Sequence, residues 1–314
     1  MGKIAFVFPG QGSQTVGMGK EFYDNFSAAK QIFEQADDAL GFSITNLCFN
    51  GPEEELRKTY NTQPAILTMS LACFAVLKEK GIEPVITAGH SLGEYCALVA
   101  AGALTFADAV RLVRKRGQYM QEAVPLGQGG MAAIIGLNRE GVEEVCKTIE
   151  LTGDVVQPVN YNCPGQIVIA GSSRGVEKAA EALKAAGAKR AIILPVSAPF
   201  HSTLMKPAAE KLAKELDNVK ISDTIIPVVA NVTGKILSSS EEIKSSLVKQ
   251  AASPVLWEDC IATIEEYGVT EMIEVGPGKV LTGLTKKIAK EVHTLNVEDL
   301  ASLEKSLDYF KEVR

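Results

Sequence analysis

Gly89-His90-Ser91-Leu92-Gly93 sets a serine between two glycines, each two residues away. A serine hydroxyl becomes a nucleophile when a sharp turn presents it and a nearby base takes its proton. The preceding run Pro84-Val85-Ile86-Thr87-Ala88 reads as a short buried strand, and Leu92, Tyr95, Ala97, Leu98 and Ala101 read as the start and body of a helix. Glycines relieve crowding where the backbone turns tightly and lies close to its neighbours. At the amino end of a helix, unpaired N–H groups favour developing negative charge. The chemistry this arrangement suits is acyl transfer through an acyl-serine.

Three histidines are available as the base. His90 adjoins Ser91, but on such a turn its side chain points away from that of the serine. His293 begins a late strand and reads as a structural residue. His201 lies in Pro195-Val196-Ser197-Ala198-Pro199-Phe200-His201-Ser202, an irregular connection stiffened by two prolines, and is the better base. A carboxylate usually binds the other imidazole nitrogen. Glu258, Asp259 and Glu274 do not sit in loops that read as catalytic turns, so the expectation is a Ser–His dyad. A backbone carbonyl or an amide such as Gln250 would then orient the ring.

An acyl intermediate also needs donors around its oxyanion. Phe8-Pro9-Gly10-Gln11-Gly12-Ser13-Gln14 directly follows the first strand, and the N–H groups of Gln11 and Leu92 form a natural pair. A phosphate cradle is the rival reading, but the run gives neither G-x-G-x-x-G nor a P-loop lysine. Arg116 discriminates further. It shares a helical face with Leu112, Val113 and Met120, whereas Arg111, Arg114 and Lys115 point mostly elsewhere and read as solvated. An arginine among apolar neighbours snorkels or meets a buried anion. Beside a nucleophilic serine, a bidentate receptor for a substrate carboxylate is the better account. Asn160 and Asn162, in the amide-rich stretch before Pro164, and Met120 are expected to wall the cleft.

The elements that must hold these residues follow from periodicity. The chain has 314 residues, 46% of them hydrophobic, enough for a large core and a second, smaller one. Strands are predicted at 4–8 and 85–88, with helices over 20–40, 63–80 (begun at Pro64), the segment after Ser91, and 106–124 capped by Thr105. From 131 to 195 the order becomes β-α-β-β-α-β, the split unit of a ferredoxin-like fold. Strands at 225–230 and 271–275 and helices at 241–250, 256–267, 280–288 and 299–313 then resume the first pattern. The expected fold class is α/β, a hydrolase-like, mostly parallel sheet flanked by helices with an inserted ferredoxin-like subdomain. Its domain bounds would be 1–126 with 198–314 for the large part and 127–197 for the insertion. Ligands of such sheets collect beyond the strands' carboxyl ends, where the Ser91 loop falls.

A formal net charge of −6 argues against a general nucleic-acid surface. Six scattered cysteines without a CxxC pair read as buried free thiols in a reducing compartment, and three histidines do not make a metal site. The N-terminus enters a strand directly, without a signal-peptide pattern, and no segment reads as membrane-spanning, so a cytoplasmic monomer is the expectation.

Taken together, Phe8–Gln14, Gly89–Tyr95, Arg116-Gly117, Asn160-x-Asn162-x-Pro164-x-Gln166, the 197–202 run and Glu274-Val275-Gly276-Pro277-Gly278 closely resemble the malonyl-CoA:acyl-carrier-protein transacylases of bacterial fatty-acid synthesis, in family order over nearly the whole chain. The resemblance implies Ser91 as nucleophile, His201 as base and Arg116 as binder of the malonyl carboxylate. It further implies Gln11 and Leu92 as oxyanion donors and the main-chain carbonyl of Gln250 as the group that steadies the histidine. The substrates would be malonyl-CoA and the phosphopantetheine thiol of acyl carrier protein, with no bound cofactor. A serine thioesterase or esterase, and a non-catalytic acyl-carrier-binding module, are the alternatives. Lys189, Arg190, Lys286 and Lys287 are candidates for contact with an acidic carrier.

Overall fold

Among the described residues ten strands, β1 (Ile4–Phe8), β2 (Ile86–Gly89), β3 (Gly129–Ile135), β4 (Val156–Cys163), β5 (Gln166–Ser172), β6 (Arg190–Ile193), β7 (Val228–Val229), β8 (Ile236–Leu237), β9 (Glu271–Val275) and β10 (His293–Val297), divide into two sheets. The computed structural model describes residues 2–196 and 198–313, so Ser197 of the motif around His201 lies outside them. The larger sheet runs β10-β9-β1-β2-β7-β8, parallel throughout except for the β7–β8 hairpin. Every residue of β1 is buried, as a central parallel strand covered on both faces requires. Helix Thr59–Glu79 packs one face together with helices Ser27–Leu40 and Phe106–Glu122, and helices Trp257–Glu266 and Val280–Ile288 pack the other. The smaller sheet, order β4-β5-β3-β6, is antiparallel and carries helices Arg139–Glu150 and Ser173–Ala185. The predicted β-α-β-β-α-β order thus forms a second, inserted layer with its own core. Asn160 of β4 bridges to Val255, and so ties the two parts together near the Ser91 loop.

Several elements differ from expectation, and three of them show why. The helix predicted to start at Pro64 begins at Thr59 and contains the proline. Proline removes the N–H that would bond the carbonyl of Tyr60. The Arg114 guanidinium donates to that carbonyl instead, at 2.8 Å. Arg114 is therefore half-buried and bonded rather than solvated, and a tertiary contact makes good the helix's lost bond. The strand predicted over 225–230 shrinks to Val228–Val229, because Pro227 has no N–H to donate and Ile225 lies exposed. Helix Lys206–Leu216, not predicted, starts with Pro207 in its first turn and buries Ala208, Leu212 and Leu216 at helical spacing.

Candidate active site

The loop after β2 makes a turn so tight that its glycines are fixed by packing. A Cβ on Gly89 would stand 1.9 Å from the carbonyl carbon of Gly93, and one on Gly93 would stand 2.1 Å from the carbonyl oxygen of Phe8 in β1. Ser91 itself takes the left-handed conformation, with φ of 54°. For a residue with a Cβ that conformation costs of order 1–3 kcal/mol unless its surroundings hold it. They do so from both sides. The Ser91 N–H donates to Asn231 Oδ1 at 2.7 Å, and its carbonyl accepts from Gln250 Nε2 at 2.8 Å. Helix Gly93–Ala100 then runs away from the hydroxyl.

His201 reaches Ser91 from a loop 110 positions later, Nε2 lying 2.7 Å from Oγ. It too is in the left-handed region, with φ of 65°. Its Nδ1 is 2.9 Å from the main-chain carbonyl of Gln250. A carbonyl only accepts, so the proton sits on Nδ1 and Nε2 is left to accept the serine hydroxyl. Burial, and then the neighbouring Arg116 charge, push the imidazole down to about 3. It is therefore neutral at physiological pH, with Nε2 free to accept the serine hydroxyl. Glu274 holds none of this geometry. Buried beside β10, it accepts from the N–H groups of Leu281 and Thr282 at the start of helix Val280–Ile288, a structural cap.

Arg116 is 2 % exposed, on the buried face of helix Phe106–Glu122. Its Nη1 donates to Gln63 Oε1 at 2.7 Å, and its Nη2 donates to Gln250 Oε1 at 2.9 Å and to Ser91 Oγ at 3.1 Å. All three acceptors are neutral. Among the described residues no carboxylate pairs with the buried cation directly, although the Glu94 charge acts on it from nearby, and the guanidinium is left open to a direct anion partner. Gly117 beside it lets this helix approach Thr59–Glu79, for a Cβ there would meet the backbone of Tyr60 at 2.6 Å.

These groups open onto a cleft of about 130 Å³ lined by Gln11, Gln63, Leu92, Met120, Phe200 and Asn160, among others. The backbone N–H groups of Gln11 and Leu92 are not taken up by hydrogen bonds among the described residues. Thr59 donates its hydroxyl to the Gln11 side chain and holds that loop. Met120 and Asn160 line the cleft as expected. Asn162 stands behind it: its Oδ1 accepts from His90 Nε2 at 3.0 Å, and His90 in turn lies against Trp257. The His90 ring is tied to Asn162 and Trp257 rather than to the serine hydroxyl, although His90 also lines the cleft.

The acyl transferase domain family matches residues 5–312. The malonyl CoA-acyl carrier protein transacylase of Bacillus subtilis (strain 168) is 53% identical over 312 residues, covering 99% of this chain and 98% of the relative. That of Escherichia coli (strain K12) is 52% identical, with 92% and 93% covered. Among solved structures, malonyl CoA-acyl carrier protein transacylase from Clostridium perfringens superposes with a TM-score of 0.96 at 48% identity, covering 99% of this chain and 98% of the other. The chain belongs to the malonyl-CoA:acyl-carrier-protein transacylase family.

Sequence reasoning for this transacylase missed three residues of the site. Gln63 holds Arg116 from a neighbouring helix, Asn231 holds the Ser91 N–H, and Glu94 lies buried beneath the turn. Gln63 could have been found, since it stands one residue before Pro64 on a helix that is buried nearly all round. Asn231 carries no local signal. Burial raises Glu94 to about 7 against its hydrogen bonds from Asn231 and Gln250.

Proposed function

We propose that this transacylase carries a malonyl group on Ser91 between malonyl-CoA and the phosphopantetheine thiol of acyl carrier protein. The observation that carries the reading is one unbroken line of contacts: Gln250 carbonyl, His201, Ser91 hydroxyl, Arg116 guanidinium. The first three activate an oxygen nucleophile, and the fourth sets a receptor for a free carboxylate beside it.

In the first half-reaction, His201 Nε2 takes the Ser91 proton as Oγ attacks the thioester carbonyl. The N–H groups of Gln11 and Leu92 receive the oxyanion, an electrostatic contribution of about 3 kcal/mol for a well-placed donor. Collapse breaks the carbon–sulfur bond, and His201 returns the proton to the departing coenzyme A thiolate. In the second half, the carrier thiol gives its proton to His201 and attacks the malonyl-serine, and Ser91 leaves with that proton. A thioester is exchanged for a thioester, so the harder demand is to keep water out while the acyl-serine waits. Met120, Met131, Leu194, Val196 and Phe200 supply an apolar lining suited to that. Lys189 precedes and Arg190 begins the edge strand β6, both exposed at the end opposite Leu194 and Val196 of the cleft, a basic place for an acidic carrier to touch.

The test is to load the enzyme with labelled malonyl-CoA, remove the donor and chase. Transfer to holo carrier protein far faster than release to water supports the reading. Equal loss with and without carrier would make the protein a thioesterase, and carrier binding with no labelled enzyme would make it a binding module.

A further inference from the structure

The site has no carboxylate on the catalytic histidine, yet it buries one close by. Glu94 is 1 % exposed in the first turn of helix Gly93–Ala100. One oxygen, Oε2, accepts from the backbone N–H of Asn231 at 3.0 Å and from Gln250 Nε2 at 2.8 Å. Each of these partners is itself a clamp on the nucleophile. Asn231 spans the turn, its Oδ1 on the Ser91 N–H and its Nδ2 donating to the Gly89 carbonyl at 2.8 Å. Gln250 holds the Ser91 carbonyl with Nε2, Arg116 with Oε1 and His201 with its main-chain carbonyl. Burying an ionised carboxylate costs several kcal/mol unless hydrogen bonds or opposite charge offset it. Here a single oxygen fixes the two residues that between them touch Ser91, His201 and Arg116.

We infer that Glu94 is the positioning acid of this site, acting through Gln250 and Asn231 on Ser91, His201 and Arg116 rather than touching substrate. It fills, one residue removed, the orienting place that a triad carboxylate would hold. The left-handed conformation of Ser91 needs both its N–H and its C=O tied, and Glu94 is the common anchor of the two ties. The role belongs to Oε2 as an acceptor. An amide oxygen provides the same acceptor, whereas a hydrocarbon provides none and leaves the Asn231 N–H and the Gln250 amide to find other partners.

The inference rests on the acyl-serine reading. Rates of Ser91 labelling by malonyl-CoA are therefore measured on wild type alongside Glu94→Leu and Glu94→Gln, with folding followed by thermal denaturation. In Glu94→Leu, kcat is expected to fall about 100-fold, the order that a displacement of about 1 Å in reacting groups produces. The KM for malonyl-CoA stays within about threefold, and Glu94→Gln recovers kcat to within about fivefold of wild type. A folded Glu94→Leu with unchanged kcat, a loss confined to KM, or a kcat loss that glutamine leaves in place would each overturn the assignment. Should Glu94→Leu not fold, Glu94→Asp withdraws the acceptor oxygen while keeping a buried carboxyl. A drop in its kcat of about tenfold at unchanged KM, against near wild-type kcat in Glu94→Gln, supports the role, and an unaffected kcat contradicts it. Absence of Ser91 labelling in wild type would instead count against the acyl-serine reading itself.

Discussion

Arg116 Nη2 donates to Ser91 Oγ at 3.1 Å, while His201 Nε2 holds the same oxygen at 2.7 Å. The nucleophile thus stands between a base and a buried cation. A carboxylate bound to Arg116 would fall within reach of the reacting oxygen, which sets the length of acyl group the cleft receives. It would also offset the positive charge that, after burial, holds the His201 imidazole low. On the proposed reading, substrate charge and base strength are coupled through this one arginine.

Arg116→Ala is expected to lower malonyl transfer by about 2–5 kcal/mol in transition-state terms, the range for truncating one partner of a buried charge pair. Acetyl transfer, which brings no free carboxylate, should fall much less. Steady-state kcat/KM for both donors checks this, and equal losses would remove Arg116 from the recognition of the acyl group.

The pH dependence of Ser91 labelling follows from His201. Its imidazole is pushed down to about 3, so the proton-accepting form persists as pH falls through the ordinary histidine range of about 6.5. The acid limb of kcat/KM is expected below about pH 5. A limb centred near 6.5 would show that the ring titrates as an unperturbed histidine. For stability the sign is the opposite of a charge-paired histidine. The unfolded chain takes up this proton below about 6.5 and the folded chain does not, so the His201 contribution is lost as pH falls from there toward 3.

Gly89→Ala and Gly93→Ala are expected to destabilise the fold by about 3 kcal/mol or more, since each new methyl meets backbone atoms that cannot rotate away. Gly12→Ala faces no atom within 4 Å but does carry a positive φ, so its cost is that of local strain alone and should be smaller. Urea denaturation of the three variants tests the ranking. Similar midpoints would mean that the turn can relax.

Much of this site was legible because its signals are local. The glycines flanking Ser91 register the close approach of β1 and helix Gly93–Ala100, and the helical spacing of Leu112, Val113, Arg116 and Met120 sets the arginine on the buried face. The β-α-β-β-α-β order of the insertion was equally readable, since its two helices each bury one apolar face and turn residues set off the strands between them. What stayed hidden is tertiary. Glu94 draws its meaning from Asn231 and Gln250, 137 and 156 positions away, and no periodicity links them. The early start of helix Thr59–Glu79 depends likewise on Arg114 reaching the Tyr60 carbonyl that Pro64 leaves unpaired.

The central claim is that Ser91 holds the malonyl group. Wild type and Ser91→Ala are mixed with malonyl-CoA, quenched in acid, digested and examined by peptide mass spectrometry. A malonyl mass increment on the Ser91 peptide of wild type, with none on the alanine variant and transfer to carrier abolished there, is the predicted result. Unmodified wild-type peptide, together with undiminished transfer by Ser91→Ala, would contradict it.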